Sequence, residues 1–115
     1  MDLLNTLPKN VINDINGYAL YIKDYLEKLN IKYSLFLFGS IAKFNYSSTS
    51  DIDLLLLVDI EFDNIRECKK FKYELLFDSP SLSRELDLKV YSRNHFNSTT
   101  NFFENSIKRD LIELR

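Results

Sequence analysis

The chain is poor in the residues that build disulfides, zinc centres and flexible linkers. Its 115 residues include one cysteine, one methionine, two glycines and two prolines. With Cys68 alone, neither an intrachain disulfide nor a cysteine-rich zinc site can form. No stretch has the composition of a linker, and a chain of 115 residues has the size of one domain. We therefore expect a single domain over residues 1–115.

Long apolar runs and an excess of either charge are also missing. The longest apolar run, Ile52–Val58, is interrupted by Asp53 and is far too short to span a bilayer. The first residues lack the basic and apolar regions of a signal peptide, and a lone thiol fits a reducing compartment, so we expect a cytoplasmic protein without a membrane anchor. The net charge of −2 argues against general nucleic-acid binding, although local contact with a folded RNA stays open.

Apolar spacing along the chain predicts alternating helices and strands. The predicted helices cover residues 8–29, 40–44, 63–77 and 99–114. The predicted strands cover residues 33–38, 52–58 and 85–91. Asn30 is the expected stop of the first helix, Asp63 is the expected N-cap of the third, and residues 93–96 are expected to form a polar loop. This order predicts an α/β (α+β) fold with a small mixed β-sheet and flanking helices.

The most informative segment joins a Gly-Ser pair to a later Asp-x-Asp motif. Gly39 and Ser40 follow the first predicted strand, and Asp51 and Asp53 open the second. Residues two apart on a strand project from the same face, so the two carboxylates should converge. Two like charges are unfavourable there unless a cation lies between them, and oxygen ligands in an incomplete cage suit Mg²⁺ shared with substrate phosphates. The segment therefore predicts nucleotide chemistry.

Some of these residues have a structural interpretation beside the functional one. Gly39 would allow a phosphate to approach the backbone. Ser40 would either contact that phosphate or cap a short helix. Asp51 and Asp53 could instead be solvated carboxylates at the end of a strand. That alternative ranks second, because Asp53 is flanked by apolar residues, where an unpaired charge is costly to bury.

Together the motifs resemble the signature of the minimal nucleotidyltransferases in the DNA-polymerase-β-like superfamily. That family has an apolar strand, Gly-Ser, a short helix, Ser-Asp-x-Asp-Leu on the neighbouring strand, and a third carboxylate between apolar residues on a later strand. The matching segments here are Gly39-Ser40, Ser50-Asp51-Ile52-Asp53-Leu54 and Leu86-Asp87-Leu88. On its own, Asp87 alternates with leucines and would be read as facing solvent. The resemblance implies the polymerase-β-like nucleotidyltransferase fold.

The resemblance also implies an enzyme that uses a nucleoside triphosphate, ATP in the first instance. Asp51, Asp53 and Asp87 would be catalytic and would bind two Mg²⁺ ions, with Asp87 helping to deprotonate the attacking hydroxyl. The residues that would bind the nucleotide are Gly39, Ser40 and Lys43. The family commonly has Arg-Gly where this chain has Lys43 and Phe44. Lys43 keeps a cation without the fork of arginine, and Phe44 leads us to expect a different loop conformation.

In this family the minimal form often acts as the antitoxin of a two-component system and adenylylates a tyrosine of a HEPN-domain ribonuclease toxin. The resemblance implies that role here, with AMP moved from ATP to a hydroxyl of the partner toxin. One alternative is a catalytically silent antitoxin that neutralises its partner by contact. A less favoured alternative is an antibiotic nucleotidyltransferase, since those enzymes carry more chain. The preferred base and the formation of a homo-oligomer stay open.

Overall fold

A computed structural model describes residues 3–98 and 111–114 of the chain. A short 3-10 turn, Leu3–Thr6, precedes the helices and strands of this part. The helices are α1 (Lys9–Lys28), α2 (Gly39–Ala42), α3 (Ile65–Leu76) and α4 (Arg93–Ser98). The strands are β1 (Tyr33–Phe38), β2 (Ile52–Val58), β3 (Leu86–Ser92) and β4 (Ile112–Leu114).

The four strands form one mixed sheet in the order β3-β2-β1-β4. Strand β1 is antiparallel to β2 and β4, and β2 is parallel to β3. Strand β2 lies inside the sheet, as its apolar sequence predicts, and β3 forms an edge in the described part of the chain. The expected fold class, a small mixed sheet with flanking helices, is confirmed.

The two faces of the sheet bury different sets of side chains. Helices α1 and α3 cover one face, and the residues buried there include Val11, Ile15, Ile22, Leu26, Leu37, Leu54, Leu56 and Leu75. The smaller cluster on the other face consists of Phe38, Leu55, Leu57 and Phe96. Successive residues of a strand point to opposite faces, so β2 needs apolar residues at nearly every position. Asp53 is the exception within β2, and it marks where the second face opens toward solvent.

Two helix ends show which local interactions decide the boundaries. Asn30 has a φ of 58° and closes α1 with a Schellman motif, which confirms the predicted stop. The prediction that Asp63 caps α3 is wrong by one residue. Asn64 is the cap, because its side-chain oxygen accepts a hydrogen bond from the backbone N–H of Glu67 at 3.0 Å.

The last part of the chain corrects two predictions. Ile112–Leu114 is a strand and not the end of a helix, because it pairs with the backbone groups at the outer edge of β1. Residues 99–110 of that predicted helix lie outside the described residues. The predicted polar loop at residues 93–96 is instead the start of α4, where Phe96 is 2% exposed and anchors the helix on the sheet.

Helix α1 is the longest of the described helices, with 20 residues. It is amphipathic: one face is buried on the sheet, and the other carries exposed charged residues such as Lys23 and Asp24. In residues 3–98 and 111–114, no helix combines the length and the apolar character that crossing a membrane requires.

Replacing a buried leucine by alanine is expected to lower the free energy of unfolding much more than replacing an exposed one. Leu56 on β2 is fully buried, so Leu56→Ala should lower the free energy of unfolding by about 2–5 kcal/mol through lost burial and a residual cavity. Leu20 on α1 is 60% exposed, so Leu20→Ala should change that free energy by less than about 0.5 kcal/mol. Urea denaturation of both variants measures the difference. Equal losses would contradict the assignment of Leu56 to the core.

Candidate active site

The turn after β1 is shaped around the side chain of Asp53. The register of β1 and β2 places Asp53 opposite Phe38, the residue before Gly39. Gly39 has a φ of +76°, and a β-carbon on it would overlap the Asp53 carboxylate, 2.7 Å from its Cγ. Both the backbone conformation and the neighbouring side chain therefore require glycine. The space that a side chain would need on Gly39 is taken by Asp53, rather than left open for a phosphate.

Asp53 and Asp87 lie side by side on neighbouring parallel strands. The register pairs them directly, with Asp53 half-buried and the side chain of Asp87 41% exposed. Burial, and after it repulsion from Asp87 and Asp51, raises the pKa of Asp53 from its ordinary value of 3.8 to about 6. A hydrogen bond with Asp87, which needs a proton on one carboxyl, acts in the same direction, and Lys89 opposes it. The pair is therefore a crowded acidic site.

Asp51 belongs to this site but stands at its rim. It is exposed and lies just before β2, and its repulsion of Asp53 is smaller than that of Asp87. The sequence pointed first to Asp51 and Asp53 as the converging pair. Neighbouring strands are about 4.8 Å apart, whereas residues two apart along one strand are separated by about 6.6 Å. The cross-strand pair is therefore the closer one.

Ser40 and Lys43 frame the same turn. Ser40 lies half-buried in α2, and Lys43 is exposed at the C-cap of that helix. The antiparallel register of β1 with β2 and the parallel register of β2 with β3 bring this turn to the end of the sheet that carries Asp53 and Asp87. All six site residues predicted from the sequence therefore lie at the same end of the sheet: Gly39, Ser40, Lys43, Asp51, Asp53 and Asp87.

Phe44 occupies the position where helices commonly end in glycine. Its N–H donates to the carbonyl of Ile41 at 3.0 Å, and the N–H of Asn45 donates to the carbonyl of Ser40 at 2.9 Å, which is a Schellman motif. Phe44 has a φ of 58°, a left-handed conformation that costs a residue with a β-carbon about 1–2 kcal/mol. The expectation that the loop at Phe44 differs from that of family members with glycine stays a prediction. The turn has the shape that a glycine would take, at a cost in stability.

Arg84 has a positioning role that sequence reasoning missed. Its Nη1 donates to the carbonyls of Ser47 at 3.1 Å and Ser50 at 2.6 Å, and its guanidinium lies 5.8 Å from the centre of the Tyr46 ring. These contacts hold the loop that leads into Asp51. Arg84 is 9% exposed, a degree of burial that is rare for arginine without polar partners such as these two carbonyls.

The backbone of Arg84 is held as firmly as its side chain. Its N–H donates to Asp14 Oδ2 at 3.0 Å, and its carbonyl accepts a hydrogen bond from the Tyr18 hydroxyl. These partners in α1 stand 70 and 66 residues away in the chain. No local pattern in the sequence could have indicated such contacts.

Lys89 is the second residue that the sequence did not single out as functional. Its Nζ lies 3.2 Å from Asp87 Oδ1, and both side chains are partly exposed. The alternation of β3 did place Asp87 and Lys89 on one face, and that spacing was the available signal. Lys89 therefore orients the carboxylate of Asp87 at the edge of the sheet.

The acidic pair fits a divalent cation. A cation between Asp53 and Asp87 would relieve the repulsion that raises the pKa of Asp53. Among residues 3–98 and 111–114, no three His, Cys, Asp or Glu side chains form a ready-made metal group. Mg²⁺ does not need one, because it usually binds one or two carboxylates and completes its shell with water and substrate phosphates.

The turn at Gly39 and the acidic pair lie at the same end of the sheet. Residues 21–113, from α1 into β4, match the family described as "Nucleotidyltransferase domain". The match includes all six residues predicted from the sequence, together with Arg84 and Lys89, and the chain belongs to this family.

A relative from Methanocaldococcus jannaschii is described as a "putative protein adenylyltransferase". It is 36% identical over 73 residues, which cover 56% of this chain and 73% of the relative. The similarity supports transferase activity in this chain, in agreement with the family.

Asp53→Asn is expected to flatten the dependence of stability on pH. Because the folded state binds a proton at Asp53 more tightly than the unfolded chain does, the stability of the natural protein should fall as the pH rises from about 4 through 6 and then level off. The amide has no charge and removes this slope. Thermal unfolding in metal-free buffer between pH 4 and 8 (roughly the range that covers both pKa values) measures it. The control Asp63→Asn changes an exposed carboxylate and should keep the dependence of stability on pH. The same dependence in Asp53→Asn would contradict a raised pKa of Asp53.

Phe44→Gly is expected to stabilise the protein by about 1 kcal/mol, because glycine adopts the left-handed conformation without a steric cost. Phe44 is 43% exposed, so part of this gain is offset by lost apolar contact. Phe44→Ala is the control, since it loses the ring but keeps the β-carbon and the strain. Urea denaturation compares the two variants. A Phe44→Gly protein no more stable than Phe44→Ala would argue against strain at this turn.

Proposed function

We propose that this chain transfers AMP from ATP to a hydroxyl of another protein, with Mg²⁺ held at Asp51, Asp53 and Asp87. The observation that carries the proposal is the register that sets Asp53 beside Asp87 and over Gly39. This arrangement concentrates carboxylate oxygens where a metal-bound triphosphate could share them. Membership of the nucleotidyltransferase family supports the same class of reaction.

In the proposed reaction the acceptor oxygen forms a bond to the α-phosphorus of ATP. The bond between that phosphorus and the bridging oxygen breaks, and pyrophosphate leaves with the electron pair. Asp87 accepts the proton of the hydroxyl, a role that suits it because its side chain is partly exposed at the edge of the sheet. Bound Mg²⁺ would neutralise charge on the phosphates. Ser40 and Lys43 would orient the triphosphate from the turn after β1.

The acceptor is proposed from two likenesses. The name of the Methanocaldococcus jannaschii relative supports a protein as the acceptor. The resemblance to minimal nucleotidyltransferase antitoxins supports a tyrosine of a HEPN-type toxin, which the modification would silence. The alternative is a silent antitoxin that neutralises its partner by contact. Phe44 closes the turn in the left-handed conformation that glycine favours, and this supports the catalytic alternative.

Incubation of the chain with ATP, Mg²⁺ and a HEPN-type toxin is expected to add adenylyl groups to a toxin tyrosine. Asp53→Asn and Asp87→Asn should each lower the rate on the order of 10²-fold or more, because Asp53→Asn weakens the binding of Mg²⁺ and Asp87→Asn removes the proposed proton acceptor. Mass spectrometry of intact and digested toxin measures the modification. Asp63→Asn, outside the site, is the matched control and should act as the natural chain does.

The same variants separate catalysis from neutralisation by contact. Asp87→Asn should still bind the toxin but fail to neutralise it in a growth assay. Full neutralisation by a variant that no longer adenylylates would overturn the catalytic role in favour of the silent antitoxin. A modified toxin whose activity is unchanged would leave the transferase standing and remove the antitoxin role.

A further inference from the structure

A second concave site lies beside the acidic pair, where α3 meets the edge strand β3. Its cavity has a volume of about 560 Å³. The apolar residues that line it include Phe62, Ile65, Cys68 and Val90. Its basic lining residues are Lys69, Lys72 and Lys89. A cavity of this size, with an apolar lining and a few charged groups, has the character of a binding site.

The cavity carries more positive than negative charge, because three lysines line it against one carboxylate, that of Glu61. The Glu61 carboxylate keeps its charge and accepts a hydrogen bond from the Asn94 side chain at 2.7 Å. In the part of the chain that the structure describes, no carboxylate lies within ion-pair distance of Lys69 or Lys72. The cavity is therefore positive in a chain whose net charge is −2, and it is complementary to an acidic ligand.

Lys89 connects this cavity to the acidic pair. It lines the cavity, and its Nζ lies 3.2 Å from Asp87 Oδ1. A ligand that fills the cavity therefore reaches the neighbourhood of Asp87, the carboxylate proposed to take the proton of the acceptor.

The surface next to the cavity extends the contact area. Ile65 and Tyr73 of α3 are 74% and 70% exposed, and with Lys69 they stand at successive four-residue steps on one side of the helix. Large exposed apolar side chains beside a positive cavity favour a peptide or protein over a small ligand, because they offer contacts beyond the cavity itself.

We propose that this cavity docks an acidic, tyrosine-containing segment of the acceptor protein. The proposal rests on the proposed function, since it assigns a place to the acceptor of that reaction. Acidic side chains of the segment would pair with Lys69 and Lys72, and its apolar side chains would contact Ile65. A tyrosine that follows would have its hydroxyl at the Asp87 end of the cavity.

Binding can be tested without ATP, using a fluorescent random copolymer of glutamate and tyrosine as the probe. The natural chain should bind it more tightly than a lysine–tyrosine copolymer. Reversing both charges, in Lys69→Glu with Lys72→Glu, should weaken binding about tenfold or more as measured by anisotropy. The matched control is Lys9→Glu with Lys23→Glu, which makes the same charge change at exposed positions of α1 outside the cavity. If the Lys69→Glu, Lys72→Glu variant fails to fold, Lys69→Gln with Lys72→Gln tests whether the two positive charges are needed for binding.

The single cysteine reports where the probe binds. Cys68 is partly buried in the cavity, so the glutamate–tyrosine copolymer should slow its reaction with N-ethylmaleimide several-fold. Equal binding of the two copolymers, unchanged reactivity of Cys68, or the same loss of affinity in the α1 control would each overturn the docking site.

Addition of ATP and Mg²⁺ distinguishes this proposal from the function on which it rests. Adenylylation of the copolymer with a raised KM and an unchanged kcat in the Lys69→Glu, Lys72→Glu variant would support both. Adenylylation with an unchanged KM would overturn the docking site and leave the transferase. Binding and protection of Cys68 without any adenylylation of copolymer or toxin would overturn the transferase and leave the docking site.

Discussion

The parallel pairing of β2 with β3 is the constraint on which the site depends, because it holds two carboxylates together that would otherwise repel each other. Asp53 and Asp87 are direct partners in that register, and Asp53 is also half-buried. The backbone ladder and the leucines on the two faces of β2 supply the stability that keeps this pair in place. The folded protein therefore keeps Asp53 and Asp87 close together despite their repulsion. A cation bound between them would relieve it.

Contacts from distant parts of the chain complete the site around that pair. Gly39 leaves room for the Asp53 carboxylate, Arg84 holds the loop that enters β2, and Lys89 orients Asp87. None of these three residues carries the acidic charge of the site. Each decides where a carboxylate lies, which is the property that a phosphoryl-transfer site most depends on.

Much of the fold could be predicted from the sequence, because periodicity and turn residues are local signals. The bounds of β1 and β2 agree with their predictions, and Asn30 stops α1 as expected. The prediction failed where a long-range contact competes with local preference. The apolar residues of Ile112–Leu114 fitted a helical spacing in the sequence. In the fold this segment forms a strand, because its backbone pairs with the edge of β1.

The sequence by itself determined which residue types the site contains, because Gly-Ser and Asp-x-Asp stand at a fixed spacing and the family resemblance adds Asp87. Only the tertiary structure decided which groups meet. The distance along one strand is set by the chain, but the shorter distance across strands depends on register, so Asp87 rather than Asp51 is the principal neighbour of Asp53. The cavity beside β3 is likewise a product of tertiary packing, since its lysines and apolar residues come from β3 and from α3 with the segment before it, which meet only in the folded chain.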